Sequence, residues 1–337
     1  MIYEASERKI RARIVSTTSS IEASETVPDG VMLEEIACPM GCGAPSTEVA
    51  RGGDRLHGIP GRFAVARCEG CGLMRTVPRP TSDTIGAYYP DVYAPHVAGP
   101  ADAPGLLERV RTALRLDGTR HLLPPVQPGL ALEVGCASGT FMRKLRRRGW
   151  TVHGIEPSPQ AAARARALGF SVYAGPLETA PNPAEQYDLV VASHAFEHLH
   201  APLDGFQRLR AWSRPGAALA CAVPDAGGLL FRLFRAAWYD LDLPRHLFHF
   251  TPATLTAVLA RAGWKVERVR PEKTLGSLVG SLGYFLCDRR RGDSALGEAL
   301  LRFPGSGSPW KKLAWPLEFL LSALRQTGRM VVWARAS

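Results

Sequence analysis

The fold class this sequence predicts is α/β: an open, largely parallel sheet preceded by a small cysteine-bearing module. Three observations predict it. Short apolar runs alternate with helical stretches from about residue 129 onward, a glycine-rich turn joins the first run to its helix, and four cysteines in two close pairs lie ahead of them.

The first run, GLALEVGC, reads as a strand, and TFMRKLRRRGW reads as a helix with Phe141, Met142 and Leu145 on one face, stopping at Gly149. Between them Glu133 stands ahead of a tight turn, with Gly135 and Gly139 where side chains would block a ligand. A dinucleotide-binding turn needs a glycine five positions after its first, and Thr140 occupies that position. The phosphate-cradling P-loop is also excluded, because no Gly-Lys-Ser/Thr follows. A plain structural strand-turn-helix is the alternative at this point.

The second strand, TVHGIEPS, ends in Glu156, close to the ~20-residue offset at which an acid meets a ribose in nucleotide-binding sheets. Its other reading is a helix-start acid. Ser158-Pro159 caps the next helix, which closes at Gly169. FSVYAG gives a third strand, leading to Leu177-Glu178. The fourth, YDLVVASHAFEHL, opens into Ser193-His194 and then Glu197-His198, polar groups at the carboxyl end of a strand, where ligands of open sheets sit. AALACAVPD, GWKVERVR and GRMVVWARA supply strands five to seven, and Thr251-Pro252 caps the last large helix.

The pattern Glu-x-Gly-x-Ala-x-Gly resembles motif I of class I S-adenosylmethionine (SAM)-dependent methyltransferases, with Ala137 in place of the middle glycine. The resemblance runs from about Pro125 to the end and implies a Rossmann-like seven-stranded sheet with SAM as cofactor. By it Glu133, Gly135, Ala137, Gly139, Glu156, Leu177, Glu178, Ser193 and His194 line the cofactor. In sugar C-methyltransferases of similar layout a Glu-His pair follows the fourth strand, which makes His198 the expected base and Glu197 its partner. A Pro-Arg-His-Leu-x-His-Phe-Thr-Pro run also resembles the family's substrate side, so His246 joins the catalytic candidates and His249 the acceptor-contacting ones; alternatively both satisfy the sheet edge. Tyr88, Tyr89 and Tyr93 are similar to a tyrosine patch that could roof the ligands, or anchor a linker to the core.

Cys38-x3-Cys42-Gly and Cys68-x2-Cys71-Gly have the spacing of two zinc knuckles, with disulfides as the alternative. A closed four-sulfur site leaves no position for a substrate, so structural zinc with a folding role is expected. Scattered further cysteines at 136, 221 and 287 and no export segment fit a reducing, cytoplasmic setting.

At 337 residues the chain has room for one large domain and a satellite. The expected division is a disordered tail over 1–30, a zinc-ribbon-like module over 31–80, a linker and Tyr-rich lid over 81–124, and the methyltransferase domain over 125–337. Within the last, 271–327 reads as a helical insertion whose apolar runs are each too short to span a bilayer, although a peripheral membrane contact stays open. The net charge of +10 invites a nucleic-acid partner, but 35 arginines against six lysines reflect composition more than a polyanion site. The sequence therefore points to methyl transfer to a small polar acceptor, a sugar or sugar-bearing intermediate. An RNA methyltransferase using the zinc module, and a SAM-binding scaffold without chemistry, are the alternatives; oligomeric state is not legible.

Overall fold

The computed structural model describes residues 26–90, 122–272, 274–289, 294–302, 315–324 and 326–337. In chain order the strands are β1 (Leu33–Glu34), β2 (Ser46–Gly52), β3 (Phe63–Cys68), β4 (Met74–Val77), β5 (Arg79–Pro80), β6 (Leu130–Val134), β7 (Thr151–Glu156), β8 (Ser171–Ala174), β9 (Tyr187–Ser193), β10 (Ser213–Pro224), β11 (Phe248–His249), β12 (Trp264–Pro271) and β13 (Arg329–Ala336). The helices used below are α1 (Thr140–Arg146), α2 (Pro159–Ala167), α3 (Pro202–Ala211), α4 (Leu229–Phe234), α5 (Pro252–Arg261) and α6 (Gly276–Arg289).

These elements form two compact units that interleave along the chain. One takes the chain up to Pro90, then Pro224–Thr254 and Pro271–Met330; the other takes Asp91–Val223, Leu255–Arg270 and Val331–Ser337. The sequence suggested consecutive domains; instead the cysteine-bearing segment shares a unit with residues 224–254 and with most of the 271–327 excursion.

The sheet unit holds seven strands in the order β12-β13-β10-β9-β6-β7-β8. β6 pairs parallel with both β7 and β9, so the chain order reverses direction on either side of β6. That reversal opens a crevice at the carboxyl ends of β6 and β9, the position where open α/β sheets bind ligands. The central strands are buried on both faces: Leu189, Val190, Val191 and Ala192 are fully covered, as are Ala218, Leu219, Ala220 and Cys221. Met142 and Leu145 of α1 pack into a core with Trp150, Val152 and Phe170, while Phe141 is only half-buried. α3 is held through Phe206, whose ring stacks on Phe196 at 3.6 Å and whose carbonyl accepts from the Trp264 indole at 2.9 Å. Ser158 caps α2 through the Ala161 N–H at 3.3 Å.

The cysteine unit has a four-stranded sheet in the order β11-β4-β3-β2, in which all pairs are antiparallel. Phe63, Val65, Tyr88, Trp238, Leu241 and Leu243 form its core. Its buried charged groups answer one another. Arg245, fully buried, makes a two-pronged bond to Asp54 at 2.6 and 3.1 Å, reaches Asp242 at 2.6 Å, and donates to the Tyr88 carbonyl at 3.0 Å. Arg329 pairs with buried Asp240 at 2.7 Å, which also accepts from the Ser277 hydroxyl. No helix among the described residues is long and apolar enough to cross a membrane.

Candidate functional site

The turn after β6 carries three left-handed positions at alternate residues, Gly135 at φ 71°, Ala137 at φ 46° and Gly139 at φ 82°. Gly135 is needed for space as well as backbone freedom, since a Cβ there would sit 3.1 Å from Ala195 Cβ. Gly139 lets α1 approach α2, because its Cβ would meet Ala165 at 3.2 Å. The left-handed Ala137 carries a backbone cost of roughly 1–2 kcal/mol. Glu156 holds the turn in that shape: its carboxylate accepts the Ala137 N–H at 2.8 Å and the Ser158 N–H at 2.8 Å.

Glu133 is 4% exposed, and its Oε2 is buried without a hydrogen-bond partner among the described residues. Burial, reinforced by the neighbouring Glu156 charge, pushes its carboxyl well above the ordinary range, while Lys144 and the Met142 N–H pull the other way. A buried carboxyl oxygen left without a partner costs about 1–3 kcal/mol, so a fold retains one where a ligand donor uses it. SAM fits this set: a turn whose glycines leave room for close backbone approach, an unanswered acceptor under the turn for the cofactor's donors, and at Glu156 a carboxylate, which accepts up to about four hydrogen bonds. Leu177 is buried at the start of a short 3₁₀ turn after β8, and Glu178 beside it is exposed.

Across the crevice β9 ends at Ser193, and His194 follows in a left-handed conformation, φ 54°. Its Nδ1 lies 3.1 Å from Glu197 Oε1. Glu197 is 1% exposed, on a 3₁₀ turn spanning Phe196–His198, and a ring nitrogen of His198 lies within 4.8 Å of its carboxylate. His194, expected only to line the cofactor, pairs with the Glu197 carboxylate. The i,i+3 spacing of His194 and Glu197 was the available signal. The His194 side chain is 28% exposed.

Other expected site residues lie in the cysteine unit. Tyr88 is no lid residue: it is fully buried, donates its hydroxyl to the Pro60 carbonyl at 2.7 Å and meets Phe63 edge-on. Tyr89 is half-buried beside it, and Tyr93 lies outside the described residues. His249 is 2% exposed with Nε2 3.1 Å from Thr76 Oγ1. Thr76 donates its own hydrogen to the His246 carbonyl at 2.7 Å, so it accepts from His249, whose ring is thereby a joint between β4 and β11 instead of an acceptor contact. His246 donates from Nδ1 to the Asp240 carbonyl at 2.8 Å and points Nε2 toward Asp242 at 3.8 Å.

The four cysteines converge. Their Sγ atoms all lie within 4.8 Å of one another, with Cys38 to Cys71 at 3.5 Å and Cys38 to Cys42 at 3.8 Å. A tetrahedron with zinc–sulfur bonds of ~2.3 Å has sulfur–sulfur edges of about 3.8 Å, whereas a disulfide needs ~2.05 Å. All four thiols are free. Gly41, Gly43 and Gly72 take left-handed φ values of 63°, 63° and 76°, which turns each hairpin back on itself. The N–H groups of Cys71 and Gly70 bond to the Cys68 sulfur and bring its thiol down to about 7. The donor set and its spacing suit a structural zinc ion.

Residues 106–269 match the family model described as a methyltransferase domain. That match spans just under half of the 337 residues. Over 126 residues the chain is 34% identical to a ubiquinone biosynthesis O-methyltransferase of Methylobacterium sp. (strain 4-46), covering 35% of this chain and 46% of that one. Over 180 residues it is 29% identical to a malonyl-(acyl-carrier protein) O-methyltransferase of Serratia marcescens, covering 53% and 68%. The chain thus spans under half the length of the first relative and about two thirds of the second. A SAM-dependent methyltransferase structure from Mesorhizobium loti aligns at 19% identity with a TM-score of 0.44, covering 64% of this chain and 94% of that one. The glycine turn, Glu156 and the Glu197 pair all fall inside the methyltransferase domain, and the cysteine cluster falls outside it.

Proposed function

We propose that this chain transfers a methyl group from SAM to a small polar acceptor, a sugar or sugar-bearing intermediate, and that a zinc ion on Cys38, Cys42, Cys68 and Cys71 supports folding only. The observation that carries the reading is the buried, unpartnered Glu133 oxygen under a left-handed glycine turn, with a Glu-His cluster after the adjoining strand. When bound, SAM supplies a methyl group already activated by its positively charged sulfur. The protein's part is then to align the acceptor and take its proton. Glu133, Gly135, Ala137, Gly139 and Glu156 hold the cofactor, with Leu177, Glu178, Ser193 and His194 around it. His198 removes the acceptor proton, and Glu197 stabilises the imidazolium that forms. The pairing of His194 with the Glu197 carboxylate favours a second reading, in which His194 is the base.

Methyl transfer from labelled SAM to a panel of sugar nucleotides and glycosylated intermediates tests this. His198→Ala should lower turnover ~100-fold or more with cofactor affinity unchanged. The same loss in His194→Ala with an active His198→Ala moves the base to His194. Absence of methyl transfer to every candidate, by a protein that binds SAM, would contradict the acceptor class.

A further inference from the structure

The cysteine unit carries an apolar surface that neither the thiols nor the methyltransferase motifs use. It is built from α4 and from a further helix, α7 (Trp315–Ala323), which runs on into Leu324, whose N–H donates to the Leu320 carbonyl at 2.9 Å. Gln326 joins the two. Its side-chain carbonyl accepts the Leu229 N–H at 2.6 Å, and its own N–H donates to the Leu321 carbonyl at 2.8 Å. The end of α7 therefore abuts the beginning of α4.

Both helices turn leucines outward. Leu229 and Leu233 stand one turn apart on α4, Leu317, Leu320 and Leu324 follow at spacings of three and four along α7, and all five are between 44% and 61% exposed. The other described exposed residues of these two segments are Pro316, Ala323, Arg232 and Arg235. A surface helix of a globular fold keeps its leucine stripe for the core and shows charge to water; here the stripe faces out. Single surface leucines need no explanation, but five on two abutting helices make a patch, and a patch marks an interaction surface.

Charge selects the occupant. Arg232 is anchored on the Gly227 carbonyl at 3.2 Å, near buried Asp225, and Arg235 lies 5.7 Å over the Phe231 ring. No acid stands among the described exposed residues of the two segments, and in sequence Lys311, Lys312 and Arg325 flank α7 against Glu318 alone. A second copy would bring the same leucines and the same arginines to a two-fold contact, with no exposed acid described on either helix to answer them. A bilayer with anionic headgroups answers both, since acyl chains receive the leucines and phosphates receive the guanidinium groups. The nine residues of α7 are far short of the ~20 a span requires, so such a contact lies in the plane of the surface.

We propose that this face seats the protein on an anionic lipid surface, with the leucines inserted and Arg232 and Arg235 at the headgroups. The proposal does not depend on the identity of the methyl acceptor. Flotation of the full-length protein with vesicles of phosphatidylcholine alone, and of an equimolar mixture of phosphatidylcholine and phosphatidylglycerol, tests it without turnover. The protein should float with the mixture and at least ~5-fold more weakly with phosphatidylcholine, the effect expected of one arginine or more at a charged surface. Leu233→Ser combined with Leu320→Ser should weaken binding to the mixture roughly tenfold with an unchanged melting temperature, because both side chains are already in water. Arg232→Gln combined with Arg235→Gln should weaken binding to the mixture by a similar factor and leave binding to phosphatidylcholine as it was; this pair carries the test should the serine variant fail to fold. Three results overturn the proposal: no flotation with either vesicle, folded variants that bind as wild type does, or self-association in sedimentation equilibrium that the serine variant abolishes while no vesicle is bound.

Discussion

The two units differ in where their buried charged groups stand. In the cysteine unit, Arg245 with Asp54 and Asp242, Arg329 with Asp240, and Thr76 with His249 satisfy one another inside the core. In the sheet unit the core strands are apolar, and the buried acids Glu133, Glu156 and Glu197 stand at or just beyond the ends of β6, β7 and β9. Burial works against the Arg245 charge, and Asp242 and Asp54 outweigh it, so the guanidinium is held more firmly charged than usual. Burial works against the Glu133 charge too, and Glu156 adds to it. Satisfied polar groups specify a fold; an unsatisfied one under a glycine turn marks a place for a ligand.

Asp54→Ala should break the cysteine unit most severely, because it leaves the buried guanidinium with one carboxylate where it had two and removes the acceptor of the Leu56 and His57 N–H groups, at a cost of about 3 kcal/mol. Denaturant unfolding followed by hydrogen exchange should show protection lost in segments 46–77 and 238–250. A loss under about 1 kcal/mol would mean the ion cluster is dispensable.

Metal removal sharpens the same contrast. Elemental analysis should give one zinc per chain, and Cys68→Ser or a strong chelator should raise amide exchange through β3 and β4 while leaving β6 and β9 protected. Equal loss in both sheets, or a disulfide in the native protein, would contradict a folding role confined to the cysteine unit.

Glu133→Gln should act in the opposite sense to Asp54→Ala. The folded carboxyl is raised above its unfolded value, so its contribution is fully present below the unfolded pKa, near 4.3, and is lost as pH rises through the folded value. The amide variant escapes that loss, and its gain in melting temperature over wild type should grow between pH 5 and pH 8, while SAM binding falls tenfold or more. A gain independent of pH would show that Glu133 is not strained by burial.

The smallest effect belongs to Ala137→Gly, which relieves a left-handed alanine worth ~1 kcal/mol, or about 2–4 °C in a domain of this size. Differential calorimetry resolves it; an unchanged or lower melting temperature would mean the turn is not strained there.

The sheet unit was legible in the sequence because its signals are local. Each strand is an apolar run with its own boundary, Ser158 and Thr251 announce helices by their caps, and the acid-glycine spacing lies within ten residues. The cysteine unit was legible only at the thiols. Arg245 and Asp54 are 191 positions apart, and Thr76 and His249 173 apart, so no pattern announces that they meet. That is why Tyr88 and His249 read as ligand contacts although both are core, and why residues 224–254 read as part of a single continuous domain. The pairing of His194 with Glu197 goes with a left-handed turn at His194, a conformation that histidine does not signal.

The central claim, that the turn after β6 is a cofactor site, is tested most directly by titration calorimetry of SAM and its demethylated product. Wild type should bind, with one site per chain. Gly135→Val, which drives a branched side chain toward Ala195, and Glu156→Ala, which frees the turn, should each weaken binding at least tenfold in protein that remains folded. Folded, ligand-free wild type that takes up neither compound, or variants that bind as wild type does, would contradict it.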